Sequence, residues 1–424
     1  MIRFLLKGII RDKGRSVLPV IIISIGVFLS VFMTCWLSGI TTDMIDLNAN
    51  FSTGHVRVMT RAYAENADQM PIDLALLRSD ELTDSLKKIY PEMNWVQRIR
   101  FGCLLDIPDK NGETRAQGPA FGMAVNLLTP GTGEAERLNI GKSIVSGNVP
   151  DKPGEVLVSY IFAEKFNVHP GDEITLFGST MYNAMTFGNY KISGTVRFGS
   201  AVMDRGAVII DLADARNLLD MDDAAGEILG YYQDGVYHDK EAGMMADHFN
   251  KGIEKIKDEY SPEMLSLRNQ NQLSSLLDYM NHFSGIFIFI FVCAMSIVLW
   301  NTGLLGGLRR YNEFGVRLAM GEEKRHIYHS LLYESAMVGV IGSVVGTVFG
   351  LCLSYFIQEH GLHFGNTMKN ASMMLPGVFK ASVVPEAYFI GFIPGVLSMV
   401  VGNALSGIGI YKRDTARLFK ELEV

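Results

Sequence analysis

Four uncharged, largely apolar runs constrain this chain before anything else: residues 17–40, 283–305, 335–357 and 387–411. Each is 23–25 residues long. A hydrocarbon core about 30 Å thick is crossed by about 20 helical residues, so all four can span a membrane. One run precedes the 242 residues 41–282 and three follow them. The fold class expected is therefore an α-helical membrane protein with four transmembrane helices in a 1 + 3 order, plus a large α+β domain outside the lipid.

Lys and Arg in the short flanks set the orientation. Residues 1–16 carry five (Arg3, Lys7, Arg11, Lys13, Arg15), the loop after the second run carries five (Arg309, Arg310, Arg317, Lys324, Arg325), and the tail carries four (Lys412, Arg413, Arg417, Lys420). The loop between the third and fourth runs has only Lys369 and Lys380. Both termini are thus expected in the cytoplasm and residues 41–282 outside. Residues 1–16 interleave Arg3, Lys7 and Arg11 with Phe4, Leu5, Ile9 and Ile10, the pattern of a basic amphipathic helix lying along the interface. The first run is longer than a signal-peptide core of about 7–15 residues and no clear A-x-A site follows, so an uncleaved anchor is expected.

Residues 41–282 hold 35 Asp/Glu against 22 Lys/Arg, a net −13, and the remainder of the chain sums to +6. No basic patch capable of neutralising several phosphates is visible, which argues against nucleic acid as a partner. Of four cysteines, Cys35, Cys293 and Cys352 lie in the spans and Cys103 stands alone outside, so the outer domain cannot close a disulfide on itself. It must fold on its own apolar core.

Small residues at four-residue spacing mark seams for close helix approach. They are Gly26, Ser30, Thr34 and Ser38 in the first span, Gly342, Gly346 and Gly350 in the third, and Gly391 and Gly395 in the fourth, where Pro394 predicts a kink. Whether their partners are spans of this chain or of a second subunit stays open at this level.

Periodicity organises the outer region. Residues 54–60 alternate as a strand, 71–90 read as a helix on Leu74, Leu77, Leu82 and Leu86, and 96–107 and 115–125 read as strands around an Asn111-Gly112 hairpin signal. Residues 227–237, 240–256 and 264–267 then repeat strand, helix, strand. Between them, 127–225 is strand-rich and reads as a small mixed β domain inserted into a βαβ layer. Residues 270–282 place Leu273, Leu276, Leu277 and Met280 on one face with no breaker before Phe283, so the second span should continue outward as one stiff helix.

Between the second and third spans, residues 309–335 combine dense charge with Phe314, Leu318, Ile327 and Leu331 at helical spacings. Short amphipathic helices broken at Gly321 are expected there. Glu313 and Arg317 stand four apart and can pair with each other. Chemistry-bearing motifs are weak. Ile140-Gly141-Lys142-Ser143 has Glu136 where a P-loop needs glycine, and neither GxSxG nor HExxH occurs. His326/His329 and His360/His363 lack the further ligands a metal site needs, so no metal is expected.

The segment EFGVRLAMGEEKRHIYHSLLYES resembles the coupling segment of FtsX/MacB-type (type VII) ABC transporter permeases. The positions that carry the resemblance are Glu313, Phe314, Gly315, Val316, Arg317, Ala319, Gly321, Ile327, Glu334 and Ser335. The tail YKRDTARLFKE is similar to that family's ending, while GHVRVMT and the series GEVLVS, HPGDEITLFG and SGTVRFG resemble the lipoprotein-releasing LolC/LolE subgroup.

The resemblance implies a division of the chain. An interfacial helix occupies 1–16, spans lie at 17–40, 283–305, 335–357 and 387–411, a porter-like layer at 41–126 and 226–268, and a sabre-like insertion at 127–225. A stalk follows at 269–282, a coupling segment at 306–334, an outer loop at 358–386 and a tail at 412–424. It also implies a dimer of like or unlike permease chains, each seated on a separate ABC ATPase subunit that uses ATP and Mg, with no cofactor bound by this chain. Glu313, Phe314, Gly315, Arg317, Ala319, Gly321 and Glu322 would contact that ATPase. Phe32, Met33, Trp36, Ile40, Phe283, Phe287 and Phe291 would wall a groove for acyl chains next to membrane lipids. The function implied is mechanotransmission: extraction of lipoproteins from the outer leaflet for a periplasmic carrier. The alternatives are MacB-like efflux of peptides or antibiotics and FtsX-like signalling to a cell-wall hydrolase.

Overall fold

The strand Met93–Pro108 is 16 residues long, far beyond an ordinary strand, because it serves two apolar cores in succession. This is seen in a computed structural model that describes residues 13–109, 112–198, 201–253, 258–270, 273–308, 311–363 and 378–412. The strands of the outer region are β1 (Val56–Thr60), β2 (Leu76–Leu77), β3 (Met93–Pro108), β4 (Thr114–Val125), β5 (Ile144–Gly147), β6 (Glu155–Ser159), β7 (Glu173–Ser179), β8 (Met185–Val196), β9 (Ala207–Asp211), β10 (Ala224–Ala225), β11 (Glu227–Tyr232) and β12 (Pro262–Ser266).

The first half of β3 completes an antiparallel layer ordered β12-β1-β11-β3. Helices Ser79–Ile89 and Asp239–Ile253 bury Leu86, Met245 and Ala246 against Val58, Trp95, Ile228 and Met264 of this layer. Each such large side chain taken from water contributes about 1.5–3 kcal/mol, which is what anchors these amphipathic helices.

At Ile99, which pairs with Ala124, β3 leaves that layer and enters a second structure. There β3, β4, β9, β6, β8 and β7 pair in sequence, and β7 pairs back onto β3, so six strands close into a barrel. Closure removes free sheet edges. Phe101, Leu105, Val158, Ile174, Leu176, Ile192, Val208 and Ile210 fill its interior. The strand-rich insertion is thus closed through β3 and β4, which precede it in the chain.

One expectation for the outer region is corrected. The helix read over 71–90 is confined to Ser79–Ile89. Before it, Leu76–Leu77 pairs with Ala224–Ala225, and Arg78 at φ +51° breaks the helix because the chain must turn off that pairing.

The remaining unit is largely helical and comprises, among the described residues, 13–43, 278–363 and 378–412. Among the described residues four helices are long and apolar enough to cross a membrane: Val17–Thr53, Leu273–Gly306, Lys324–His360 and Ala387–Ile408. The helix containing the second span is continuous from Leu273 to Leu308, so no break separates the expected stalk from the span. The fourth span is interrupted, Ala387–Ile390 giving way to a π-helical turn at Ile393–Leu397 before Ser398–Lys412. Pro394 lies in that turn, having no N–H to donate. Residues 1–12, Arg309, Arg310, Lys369 and the tail motif beyond Lys412 fall outside the described residues.

Candidate functional site

The charged segment between the second and third spans folds as a helix-turn-helix foot. Helix Tyr311–Ala319 is followed by helix Lys324–His360, whose first turns precede the third span. Gly321 adopts φ +90°, its N–H reaches the Leu318 carbonyl at 3.0 Å, and the Glu322 N–H reaches the Arg317 carbonyl at 3.1 Å. This paired closure is the Schellman arrangement, which favours glycine at the left-handed position. Phe314, Ile327 and Leu331 are buried together with Leu318 against them, locking the short helix to the long one.

Arg317 donates to Glu313 at 3.1 Å and Glu322 lies 3.7 Å from His326, so the charges of the foot are spent partly on its own helices. Gly315 is buried, Ala319 and Gly321 are exposed. Val316 and Met320 are also exposed, Met320 at 75%. The apolar tip formed by Val316, Ala319 and Met320 was not among the residues singled out by charge. Val316 and Ala319 belong to the segment that carries the family resemblance, whereas Met320 is marked in the sequence only by lying on the face opposite Phe314 and Leu318.

The glycine stripe of the third span meets the first span of the same chain. A Cβ on Gly342 would stand 2.8 Å from Ile23 Cβ, one on Gly346 2.5 Å from the Ser24 carbonyl, and one on Gly350 2.9 Å from Val31 Cβ. Ser24 Oγ also donates to the Gly342 carbonyl at 3.2 Å. The first span therefore presents Ile23, Val27, Val31 and Cys35, all fully buried, as its packing stripe. Its small residues serve otherwise. Gly26 faces Leu299 of the second span, and Ser30 and Thr34 donate to carbonyls one turn back in their own helix. Gly391 and Gly395 of the fourth span close on Val27 from another side.

Of the expected groove walls, Phe32 and Trp36 touch with ring centroids 6.0 Å apart and pack against the core of the spans. Met33, Ile40 and Phe291 are half-buried. Phe283 and Phe287 are exposed and touch at 6.2 Å along the second helix. Each contact joins residues of one helix.

A further constellation lies in the outer domain. The apolar core of its first layer occupies one sheet face. The register places Arg57, Arg98, Arg100, Glu227 and Tyr231 on the other. Arg57 Nη1 and Arg100 Nη2 donate to the same Glu227 Oε2 at 3.0 and 2.8 Å. Arg98 grips Glu134 with Nε and Nη2 at 2.7 and 3.1 Å, and Arg137 also pairs with Glu134. The third arm of Arg98, Nη1, donates to the Asn50 carbonyl at 2.7 Å. Tyr231 OH donates to the Ala49 carbonyl at 3.1 Å, beneath the Arg137 guanidinium 4.0 Å from its ring.

Four guanidinium groups face two carboxylates, with Arg57, Arg98, Glu134 and Glu227 essentially without solvent. Burial alone would raise the Glu134 carboxyl, but Arg98 and Arg137 hold it below its ordinary value. Beside this layer His55 is buried among Tyr231, Tyr232 and Tyr237, and burial depresses it to about 4. It is neutral, with Nδ1 accepting from the Tyr232 N–H at 3.1 Å. The sequence signal was Arg98-Ile99-Arg100 inside a strand and Arg57 amid valines: charge on one face of strands that alternation alone assigns to solvent.

A family model described as FtsX-like permease C-terminal matches residues 285–415, and one described as MacB-like periplasmic core domain matches residues 16–240. A macrolide export ATP-binding/permease protein MacB from Wolinella succinogenes is 32% identical over 94 residues, 22% of this chain and 14% of that protein. An uncharacterised ABC transporter permease from Methanocaldococcus jannaschii is 25% identical over 158 residues, 36% of this chain and 39% of that protein. The matches thus span well under half of those relatives' own length. Among solved structures, the periplasmic region of MacB from Actinobacillus actinomycetemcomitans aligns at TM-score 0.35 and 9% identity, covering 53% of this chain and 94% of that one.

Proposed function

Because this chain belongs to the ABC transporter permeases that join a MacB-like periplasmic core domain to an FtsX-like C-terminal region, we propose that it transmits the stroke of a separate ATPase subunit to its outer domain. The product of that stroke is the extraction of lipoproteins from the outer leaflet of the inner membrane for a periplasmic carrier. In this reading two permease chains stand together, both termini face the cytoplasm, and ATP with Mg is used by the partner alone.

The observation that carries the coupling half is the foot. Its short helix is fixed to the third-span helix by Phe314, Ile327 and Leu331, so a push on Val316, Ala319 or Met320 moves the span rather than bending a loop. Glu313, Arg317 and Glu322 border this tip and orient the docking. The lipoprotein half is supported by the likeness of GHVRVMT and of the 153–199 series to the lipoprotein-releasing subgroup.

Depleting the protein and fractionating the envelope tests the cargo: lipoproteins should accumulate in the inner membrane, and normal delivery to the outer membrane would sink the reading. The coupling is tested by E313K together with R317E. This swap keeps the pair within the helix but reverses the face, so the permease should stay in the membrane and lose co-purification with the ATPase. Undiminished co-purification would refute the assignment. The likeness to the macrolide exporter favours a second reading, efflux, under which a deletion strain becomes macrolide-sensitive while lipoprotein delivery is unchanged.

A further inference from the structure

We infer that Arg98 is the joint through which the outer end of the first helix moves the inserted barrel. The inference rests on the mechanotransmission reading and names the residue that relays it inside the outer domain. The helix Lys13–Asn48 ends in a π-helical turn, Ala49–Thr53, and the Asn50 carbonyl of that turn takes the Arg98 Nη1 donor at 2.7 Å. The two remaining sides of the same guanidinium are held by Glu134, which lies on helix Glu134–Arg137 of the insertion. Arg98 itself stands at the step where β3 changes layers, since it pairs with Glu227 while the next residue, Ile99, pairs with Ala124 of the barrel. One planar group thus fixes a helix end, the first layer and the barrel relative to one another. Leu273 and Leu277 of the second long helix pack with Ile45, Ala49 and Leu267, so both helix ends enter the domain at this place.

Stability alone is a poor account of such a layer. A buried ion pair commonly stabilises no more than apolar residues of the same volume, whereas its hydrogen bonds fix direction. Arginine supplies a rigid fork here; lysine would keep the charge but could not hold three acceptors in one plane. Arg216 provides the comparison. It lies on helix Leu212–Leu219 of the insertion and binds Ser79, Asp80 and Gln97 of the first layer and the Ala224 carbonyl, so it bridges insertion and layer while none of these hydrogen bonds reaches the helix end or Glu134.

The test uses the full permease with its ATPase in lipid nanodiscs, following amide exchange at residues 49–53 and 134–143 with and without a non-hydrolysable ATP analogue, and ATP-driven lipoprotein release in parallel. In the wild type both segments should change protection together. In R98K, residues 49–53 should still respond while 134–143 stop responding, with ATPase stimulation kept within twofold and release lowered at least tenfold. E134Q, which preserves side-chain shape, should do the same if R98K folds poorly, and R216K should behave as wild type. A joint response retained in both R98K and E134Q overturns the assignment of Arg98. A wild type in which neither segment responds to nucleotide refutes the mechanotransmission reading, and the joint with it. Coupled segments without lipoprotein release overturn only the choice of cargo.

Discussion

The seam between the first and third spans and the ionic layer of the outer domain are both buried contacts between distant parts of the chain, yet they use opposite means. At the seam Ile23, Val27 and Val31 sit against Gly342, Gly346 and Gly350, and the fit is steric. In the outer domain four arginines and two glutamates meet on a sheet face, and the fit is directional. Lipid offers no hydrophobic gain for joining helices, so close backbone approach and dispersion must do it. The outer domain already gains stability from its two apolar cores and can carry a costly layer that fixes geometry instead.

The largest effect that can break this contrast is at Glu134. Glu134→Leu removes the carboxylate that the buried Arg98 and the half-buried Arg137 both grip, leaving Arg98 only the more distant charge of Glu227 across the strand, and should cost about 3–5 kcal/mol in the unfolding of the outer domain. A loss below about 1 kcal/mol in chemical denaturation would mean the layer is solvated and the contrast fails. Next comes pH. His55 is depressed from 6.5 to about 4 by burial, so between those values the unfolded chain binds the proton more readily than the folded one. Stability should therefore rise with pH across that window and be lost as pH falls from 6.5 toward 4, by about 3 kcal/mol at most. His55→Gln should flatten that part of the melting-temperature profile.

At the seam, Gly346→Val pushes a side chain into the Ser24 carbonyl and Val27, and should cost about 1–3 kcal/mol in detergent-solubilised protein. Adding Val27→Ala should recover part of the loss. A strictly additive double mutant would show that the contact is not made in the membrane. The smallest effect belongs to the foot. Glu313→Gln removes a half-buried i,i+4 pair worth about 0.3–0.5 kcal/mol, so its consequence should appear in ATPase binding rather than in the melting temperature.

Much of the fold was legible from periodicity. The four spans, the hairpin of β3 and β4, and the foot broken at Gly321 all follow from patterns within about 30 residues of chain. Barrel closure was not, because the pairing of β7 back onto β3 joins residues about 70 positions apart that carry no mutual signature. In the candidate site the charged residues of the foot, Val316 and Ala319 are legible in the motif, while the exposure of Met320 beside them is not, because only the packing of Phe314 and Leu318 decides which face of the short helix is left open. The roles of Arg57, Arg98 and Arg100 are not legible in the sequence because a charge in an alternating strand reads as solvent-facing, and only other elements covering that face bury Arg57 and Arg98 and leave Arg100 half-buried.

By itself the sequence determined where the chain can enter lipid and where local elements start and stop, since each depends on the run, period or cap of neighbouring residues. Tertiary structure decided which helix the glycines receive, that the insertion shuts as a barrel through β3, and that one arginine joins a helix end to that barrel. Those are choices among partners, and the small or charged residues concerned are compatible with several until packing excludes all but one.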